Sequence, residues 1–318
     1  MNIIVLGTTE FTLCCAKGII DSKQNISAII SRPASFLPLN SADIHGFASK
    51  YNIPYHEIDD INSLYSLDIL RNYAPDFIFS SWPRMLKQSV LDIPKRYVIG
   101  THPTDLPFNR GRHPLHWLIV LGISQTKLSF FHMDQNVDTG KLLLQIPIEI
   151  DPEDSINDLL TRVNGAAYEG TILLWRKLLE EQSYEGIEQN HIAANYWRKR
   201  TPHDITIDFR MLSHNIVSIV RSFNGPYPCA NVIFENHILK IDSASTPSIT
   251  ETPNELKRIE PGKIISINGR NIVIKAADNI VELTCKGELP SALLHGKYIH
   301  PPSKYIIKWA EELKQFFE

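Results

Sequence analysis

Cysteine is scarce in this chain. There are four in 318 residues, Cys14, Cys15, Cys229 and Cys285, with no Cys-x-x-Cys pair and no Cys/His spacing suited to a metal. Adjacent Cys14 and Cys15 on an apolar helix read as packing, which argues against a disulfide scaffold and for a reducing, cytoplasmic setting. The twelve histidines are scattered without a His-Glu-x-x-His pairing, so no metal is expected. Long apolar runs are also missing: none reaches the roughly 18 residues that span a bilayer. The opening MNIIVLG lacks a charged segment and reads as a first strand rather than a signal peptide. Charge of either sign is not in excess. With 32 Lys+Arg against 35 Asp+Glu the net charge is −3, and nothing draws the whole chain to nucleic acid or an anionic membrane. Gly7 stands alone after the first strand, too little for a dinucleotide fingerprint.

What is present is a composition 43% hydrophobic and 21% charged, that of a globular protein long enough for two cores. Up to about residue 150, short apolar runs alternate with helical patterns. Strands are expected at Ile3–Leu6, Ala28–Ser31, Phe77–Ser80, Val98–Thr101 and Leu128–His132. Helices fall near Thr9–Ile20, Ala42–Tyr51, Ile61–Asn72 and His113–Leu121. Strands separated by helices predict an α/β fold with a doubly wound, mostly parallel sheet. Lys141–Ile150 is apolar-rich and extended, and Ser155 offers an N-cap to a long helix from Ile156 to Glu181. Residues 183–202 are polar and read as a linker, whose Arg198-Lys199-Arg200 triplet is a solvated hinge or, alternatively, a phosphate contact. A helix (Ser213–Phe223) follows, then strands at Ala230–Phe234, Leu239–Asp242, Lys263–Ile267, Asn271–Lys275 and Val281–Thr284, with a hairpin signal at Asn268-Gly269. One helix and five short strands suit a small OB-like β-barrel, closed by an amphipathic helix over Ser303–Phe316. The expected domains are 1–182 and 203–318.

The chemistry concentrates between Gly100 and Gly140. Tyr97-Val98-Ile99 is a buried strand ending at Gly100-Thr101-His102, so His102 sits at the carboxyl edge, where open α/β sheets bind ligands. Pro103 and Pro107 stiffen the following loop, and Arg110-Gly111 sets a cation beside a flexible backbone point. A strand from Lys127 to His132 feeds a turn carrying Asp134 and Asp138. A histidine and an acid at neighbouring strand ends make a general acid/base pair. Taken singly, each reads more readily as a strand cap or as ordinary Asp-Thr-Gly turn chemistry.

These two segments resemble the folate-dependent formyltransferases. That family's pattern runs Asn-x-His, an LP…RG…P loop and an Asp in a DxG turn. Its counterparts here are His102, Leu106-Pro107, Arg110-Gly111, Pro114 and Asp138-Thr139-Gly140. The Gly7-Thr8-Thr9-Glu10-Phe11 start is similar to the family's, as are Arg200-Thr201-Pro202, Asp208 and Pro226-Tyr227-Pro228-Cys229-Ala230 in the second half, so the resemblance covers most of the chain. It implies His102 as base or oxyanion donor and Asp138 as its orienting partner or proton relay. It implies N10-formyltetrahydrofolate as a dissociable cosubstrate, with its pterin along Trp82-Pro83-Arg84-Met85-Leu86. There backbone groups would read the pterin edge, and Trp82 or Met85 would pack on its ring; the alternative for Trp82 is a core plug. One departure stands out: the family's Asn, which steadies the formyl oxygen, falls on Gly100. Thr101, Thr104, Asn109, Asn136 or a backbone N–H are the replacements to consider.

The acceptor follows from charge and from the loop. An enzyme acting on tRNA needs a cationic face. Residues 201–318 carry 13 Lys+Arg and 13 Asp+Glu, so this half has no basic excess. The loop Phe108-Asn109-Arg110-Gly111-Arg112-His113-Pro114 is similar to that of the nucleotide-sugar N-formyltransferases. Arg110 and Arg112 suit a diphosphate, and Thr8 and Asn109 complete the expected substrate contacts. The expected partner is a dTDP- or UDP-linked amino sugar for a surface glycan, with no nucleic acid and no membrane, and with room for a homodimer. A methionyl-tRNA formyltransferase is the first alternative and a non-catalytic folate- or nucleotide-sugar-binding relative the second.

Overall fold

The computed structural model describes residues 1–181, 183–247, 253–293 and 297–306. The chain begins β1 (Asn2–Leu6), α1 (Glu10–Asp21), β2 (Asn25–Ser31), α2 (Ile44–Lys50), β3 (Tyr55–Glu57), α3 (Leu64–Asn72), β4 (Phe77–Ser80), α4 (Gln88–Leu91) and β5 (Tyr97–His102). It continues β6 (Arg110–Gly111), α5 (Pro114–Val120), β7 (Gln125–His132), β8 (Leu142–Glu149), α6 (Ile156–Glu180) and β9 (Tyr196–Trp197). The remainder is α7 (Ser213–Ser222), β10 (Asn231–Phe234), β11 (His237–Ser245), α8 (Pro253–Leu256), β12 (Ile264–Asn268), β13 (Asn271–Lys275), β14 (Ile280–Cys285) and α9 (Ser303–Ile306). Contacts divide it into two compact units. The first holds residues 1–115, 123–152 and 158–199, and the second holds 116–122, 153–157 and the chain from Arg200 onward.

The first unit is built on a seven-stranded sheet of order β3-β2-β1-β4-β5-β7-β8. The strands from β3 to β5 pair in parallel, and β7 and β8 turn antiparallel at the far edge. The central strands are apolar and covered on both faces, as parallel strands require: Ile3, Ile4, Val5, Phe77, Ile78 and Phe79 have no exposed surface. Thr9 opens α1 with a capping box closed by Thr12, which aims the first helix away from the carboxyl edge. On α6, Trp175 meets Phe77 edge-on at 5.3 Å, anchoring the long helix to the sheet. The mostly parallel sheet expected from the sequence is therefore present. Among the short elements that escaped the pattern, β3 and α4 have only three or four residues each, too few to carry a legible period. Residues 183–199 belong to this first unit, held by the Leu142–Ile187 bridge and by pairing of β9 with β6, so the boundary falls after Lys199.

The second unit is an antiparallel five-stranded sheet of order β10-β11-β14-β13-β12 packed on α7, a small barrel-like domain. Its core joins Ile216, Ile219 and Val220 of α7 to Val232, Ile241, Ile274, Val281 and Leu283 of the strands. Asn268 pairs with Asn271 across the expected hairpin, and Gly269 at φ +58° supplies the left-handed turn residue. Ser303–Ile306 is helical, and the rest of the span expected to be helical, to Phe316, lies outside the described residues. Among the described residues no helix is long and apolar enough to cross a membrane.

Candidate active site

His102 ends β5 with its ring 5% exposed. Its Nε2 donates to the Asn109 carbonyl at 2.9 Å; since a carbonyl only accepts, that nitrogen carries a proton. Nδ1 is then the nitrogen left to face Asp138, whose Oδ2 lies 3.5 Å from it. The same carboxylate oxygen accepts the Gly111 backbone N–H at 2.9 Å, which fixes its position opposite the ring. The histidine and the acid singled out from the sequence are thus brought together, in the arrangement of an oriented acid/base pair.

Both partners sit on unusual backbone. Asp138 has φ +56° and Asn109 φ +62°. A side-chain-bearing residue held there gives up about 1–2 kcal/mol, least for Asp and Asn. Two glycines have structural reasons of their own. At Gly111, φ +109°, a Cβ would lie 2.3 Å from the Trp197 carbonyl oxygen; at Gly140 it would lie 1.6 Å from that of His132. The two turns flanking the pair can close only where the side chain is missing.

Arg110 has a different place from the one its sequence suggested. It is 1% exposed, and its guanidinium donates to Tyr196 Oη (2.9 Å), Gln189 Oε1 (2.7 Å) and His191 Nδ1 (3.1 Å). No carboxylate pairs with it among the described residues, so neutral acceptors alone hold a buried cation. It ties the loop to residues 189–196, and with its Nε also buried it shows no exposed face to a diphosphate. Arg112 beside it is exposed. Thr8 is 2% exposed, and its carbonyl accepts the Ala42 N–H. The Asn109 carboxamide is paired with that of Asn195 at 3.0 Å.

Gly100 has its own explanation. A Cβ built there would meet Met133 Cγ at 2.6 Å, Phe131 Cζ at 2.9 Å and Met133 Sδ at 3.0 Å. Met133 fills the room that the family's amide would need. Of the replacements considered, Thr101 projects to the opposite face of β5 from His102. Thr104 is fully buried and donates to the carbonyls of Phe108 and Asn109. Asn136 lines an open cavity of about 690 Å³ together with Gln88, Leu91, Asp92, Met133 and Asp134.

That cavity adjoins the Asp138 turn, although neither His102 nor Asp138 lines it. Met133 links the two, touching Gly100 on one side and the cavity on the other. The residues expected to hold a pterin are not among its walls. Trp82 and Leu86 are core residues, 9% and 3% exposed, and Trp82 Nε1 is buried without a partner. Met85 is exposed and Arg84 lies 3.8 Å from Asp59. The backbone of this segment is partly committed: the Asn62 carboxamide donates to the Met85 carbonyl and accepts from the Lys87 N–H. His132, also on the cavity wall, stacks on Tyr97 at 4.5 Å, and burial holds its pKa below the ordinary histidine value. Met133, Gln189 and Asn195 carried no signal in the sequence, because their partners lie far along the chain, 86 residues away in the case of Asn195.

Residues 1–174 match the family model described as formyl transferase, and residues 199–286 match the one described as formyl transferase, C-terminal domain. A methionyl-tRNA formyltransferase of Alkaliphilus oremlandii is 27% identical over 291 residues, covering 89% of this chain and 90% of that one. Two solved structures share the fold. WlaRD, a sugar 3N-formyl transferase studied with dTDP and 5-N-formyl-THF, aligns with a TM-score of 0.63 at 16% identity over 91% of this chain and 99% of its own. An N-formyltransferase from Helicobacter canadensis, in complex with folinic acid and dTDP-3-aminofucose, aligns with a TM-score of 0.64 at 15% identity over 90% and 99%. With both halves matched and the His102–Asp138 pair in place, this chain belongs to the formyl transferase family.

Proposed function

We propose that this protein transfers the formyl group of N10-formyltetrahydrofolate to the amine of a dTDP- or UDP-linked amino sugar. The observation that carries the choice of acceptor is charge: residues 201–318 hold 13 basic and 13 acidic side chains, leaving little to neutralise the phosphates of a tRNA. The segment from β2 to α2 is equally poor. Its one cation, Arg32, is 8% exposed and turned inward onto Asp59 and the Phe36 carbonyl. A diphosphate needs only a cation or two, and Arg112 is the exposed one on the loop after His102.

The folate fits the cavity beside the Asp138 turn. Its walls offer apolar Leu91 and Met133 to a ring and Gln88, Asp134, Gln135 and Asn136 to polar edges, with the 82–86 segment just before it in sequence. When bound it supplies an activated one-carbon group, and the C–N bond to N10 breaks as the new amide C–N bond forms. His102 Nδ1 removes the proton the attacking amine must lose, and Asp138 steadies the charged imidazole. That proton then returns to the departing N10, so none accumulates in the site. Asn136, on the cavity wall and clear of the spent Thr104 and Asn109, is the side-chain donor for the formyl oxygen.

Incubation with N10-formyltetrahydrofolate and a panel of dTDP- and UDP-linked amino sugars, read as the mass gain of one formyl group, tests the proposal. Formylation of at least one sugar is expected. A second reading, methionyl-tRNA formyltransferase, is favoured by the name of the relative at 27% identity. Formylation of methionyl-tRNA and of no sugar would replace the first reading with the second.

A further inference from the structure

We infer that Gln189 is a positioning residue for the acid/base pair. It lies far from both motifs in the sequence, yet it is 5% exposed and both ends of its carboxamide are directed at them. Its Nε2 donates to the Gly140 carbonyl at 2.7 Å and to the Asp138 carbonyl at 3.0 Å. Its Oε1 accepts from Arg110 at 2.7 Å. One carboxamide therefore clamps the Asp-Thr-Gly turn to the loop that follows His102.

The clamp acts on the geometry of Asp138 from both ends. Gly111, next to Arg110, holds the carboxylate through its N–H, while Gln189 holds the backbone carbonyl of the same residue. Asp138 is kept at φ +56°, a conformation that persists only where its surroundings over-determine it. Released from Gln189, the turn is free to relax, and Oδ2 leaves its place 3.5 Å from His102 Nδ1. The Arg110 side of the clamp needs an acceptor, and the turn side needs donors. A glutamine satisfies both, whereas a glutamate satisfies only the first.

Gln189→Glu is therefore the informative variant. It keeps an acceptor against Arg110 and adds a countercharge to a buried cation, which offsets the loss of the two donated bonds, so its melting temperature should stay within a few degrees of the wild type. It presents no donor to the two turn carbonyls, so turnover should fall by about 10²-fold, the usual consequence of displacing a reacting group by about 1 Å. KM for the acceptor and the affinity for folinic acid should stay within about threefold, since the cavity walls lie outside the clamped turn; that split separates positioning from binding. Gln189→Ala, which loses both contacts, should be as slow and less stable. A Gln189→Glu protein with wild-type turnover would overturn the inference, because a purely structural residue is rescued once Arg110 is satisfied. The inference rests on the proposed transfer reaction only for its rate measurement. Hydrogen exchange of the amides of residues 137–141 judges it independently, even where no panel acceptor is formylated. Exchange at least about tenfold faster in Gln189→Glu supports the clamp, and unchanged exchange refutes it.

Discussion

Gly100→Asn restores the family's Asn-x-His spelling, and the structure makes its outcome calculable. The new Cβ alone would sit 2.6 Å from Met133 Cγ and 2.9 Å from Phe131 Cζ, with the carboxamide still to be placed beyond it. Phe131 is 3% exposed and bounded by the sheet, so Met133 must give way, and Met133 packs on the core cluster of the first unit. Overpacking of this kind costs about 1–3 kcal/mol. For a domain of this size each kcal/mol lowers Tm by roughly 2–4 °C, giving a drop of about 2–12 °C by scanning calorimetry. Turnover should not rise, because an amide forced off its rotamer by Met133 cannot aim its donor at the formyl oxygen. Adding Met133→Ala vacates the space, and the double variant should recover to within about 1 kcal/mol of the wild type, with a coupling energy of about 0.5–3 kcal/mol between the sites. A single Gly100→Asn variant that melts with the wild type and formylates faster would show that the amide was merely missing and that Met133 does not own the space.

Three further outcomes are expected. His102→Asn and Asp138→Asn should each lower turnover by about 10²–10⁴-fold with Tm within a few degrees of the wild type, and near-normal rates in folded protein would remove the pair from the mechanism. Arg112→Ala should weaken dTDP binding by about tenfold in titration calorimetry with folinic acid binding unchanged, whereas Arg110→Ala should chiefly lower Tm, leaving Gln189 Oε1 buried without its donor. Burial holds the His132 pKa below its unfolded value, so the unfolded chain binds the extra proton, and stability should fall as pH drops through the unfolded value near 6.5, levelling off below the folded one. His132→Phe, which keeps a ring on Tyr97, should flatten that stretch of the Tm-against-pH curve, and an unaltered slope would assign the dependence to other groups.

The sequence alone determined the elements whose pattern is local. Apolar runs such as Ile3–Leu6 and Phe77–Ser80 can be satisfied only as buried strands, the Asn268-Gly269 signal closes the hairpin it announces, and His102 must project where its strand stops. The Asp-Thr-Gly turn was equally plain, because a close backbone approach such as the one at Gly140 has to be written as glycine at that position. The tertiary structure decided everything that depends on which distant residue arrives beside a given atom. Arg110 reads as a surface cation for an anionic ligand until Gln189, His191 and Tyr196 close around it. Trp82 reads equally as a ring platform or a core plug until it is found within the core. Gly100 reads as a lost amide until Met133 is seen in the amide's place. A side chain's partners across long stretches of chain are set by how the sheet and the loops pack, and one-dimensional spacing carries no record of that packing.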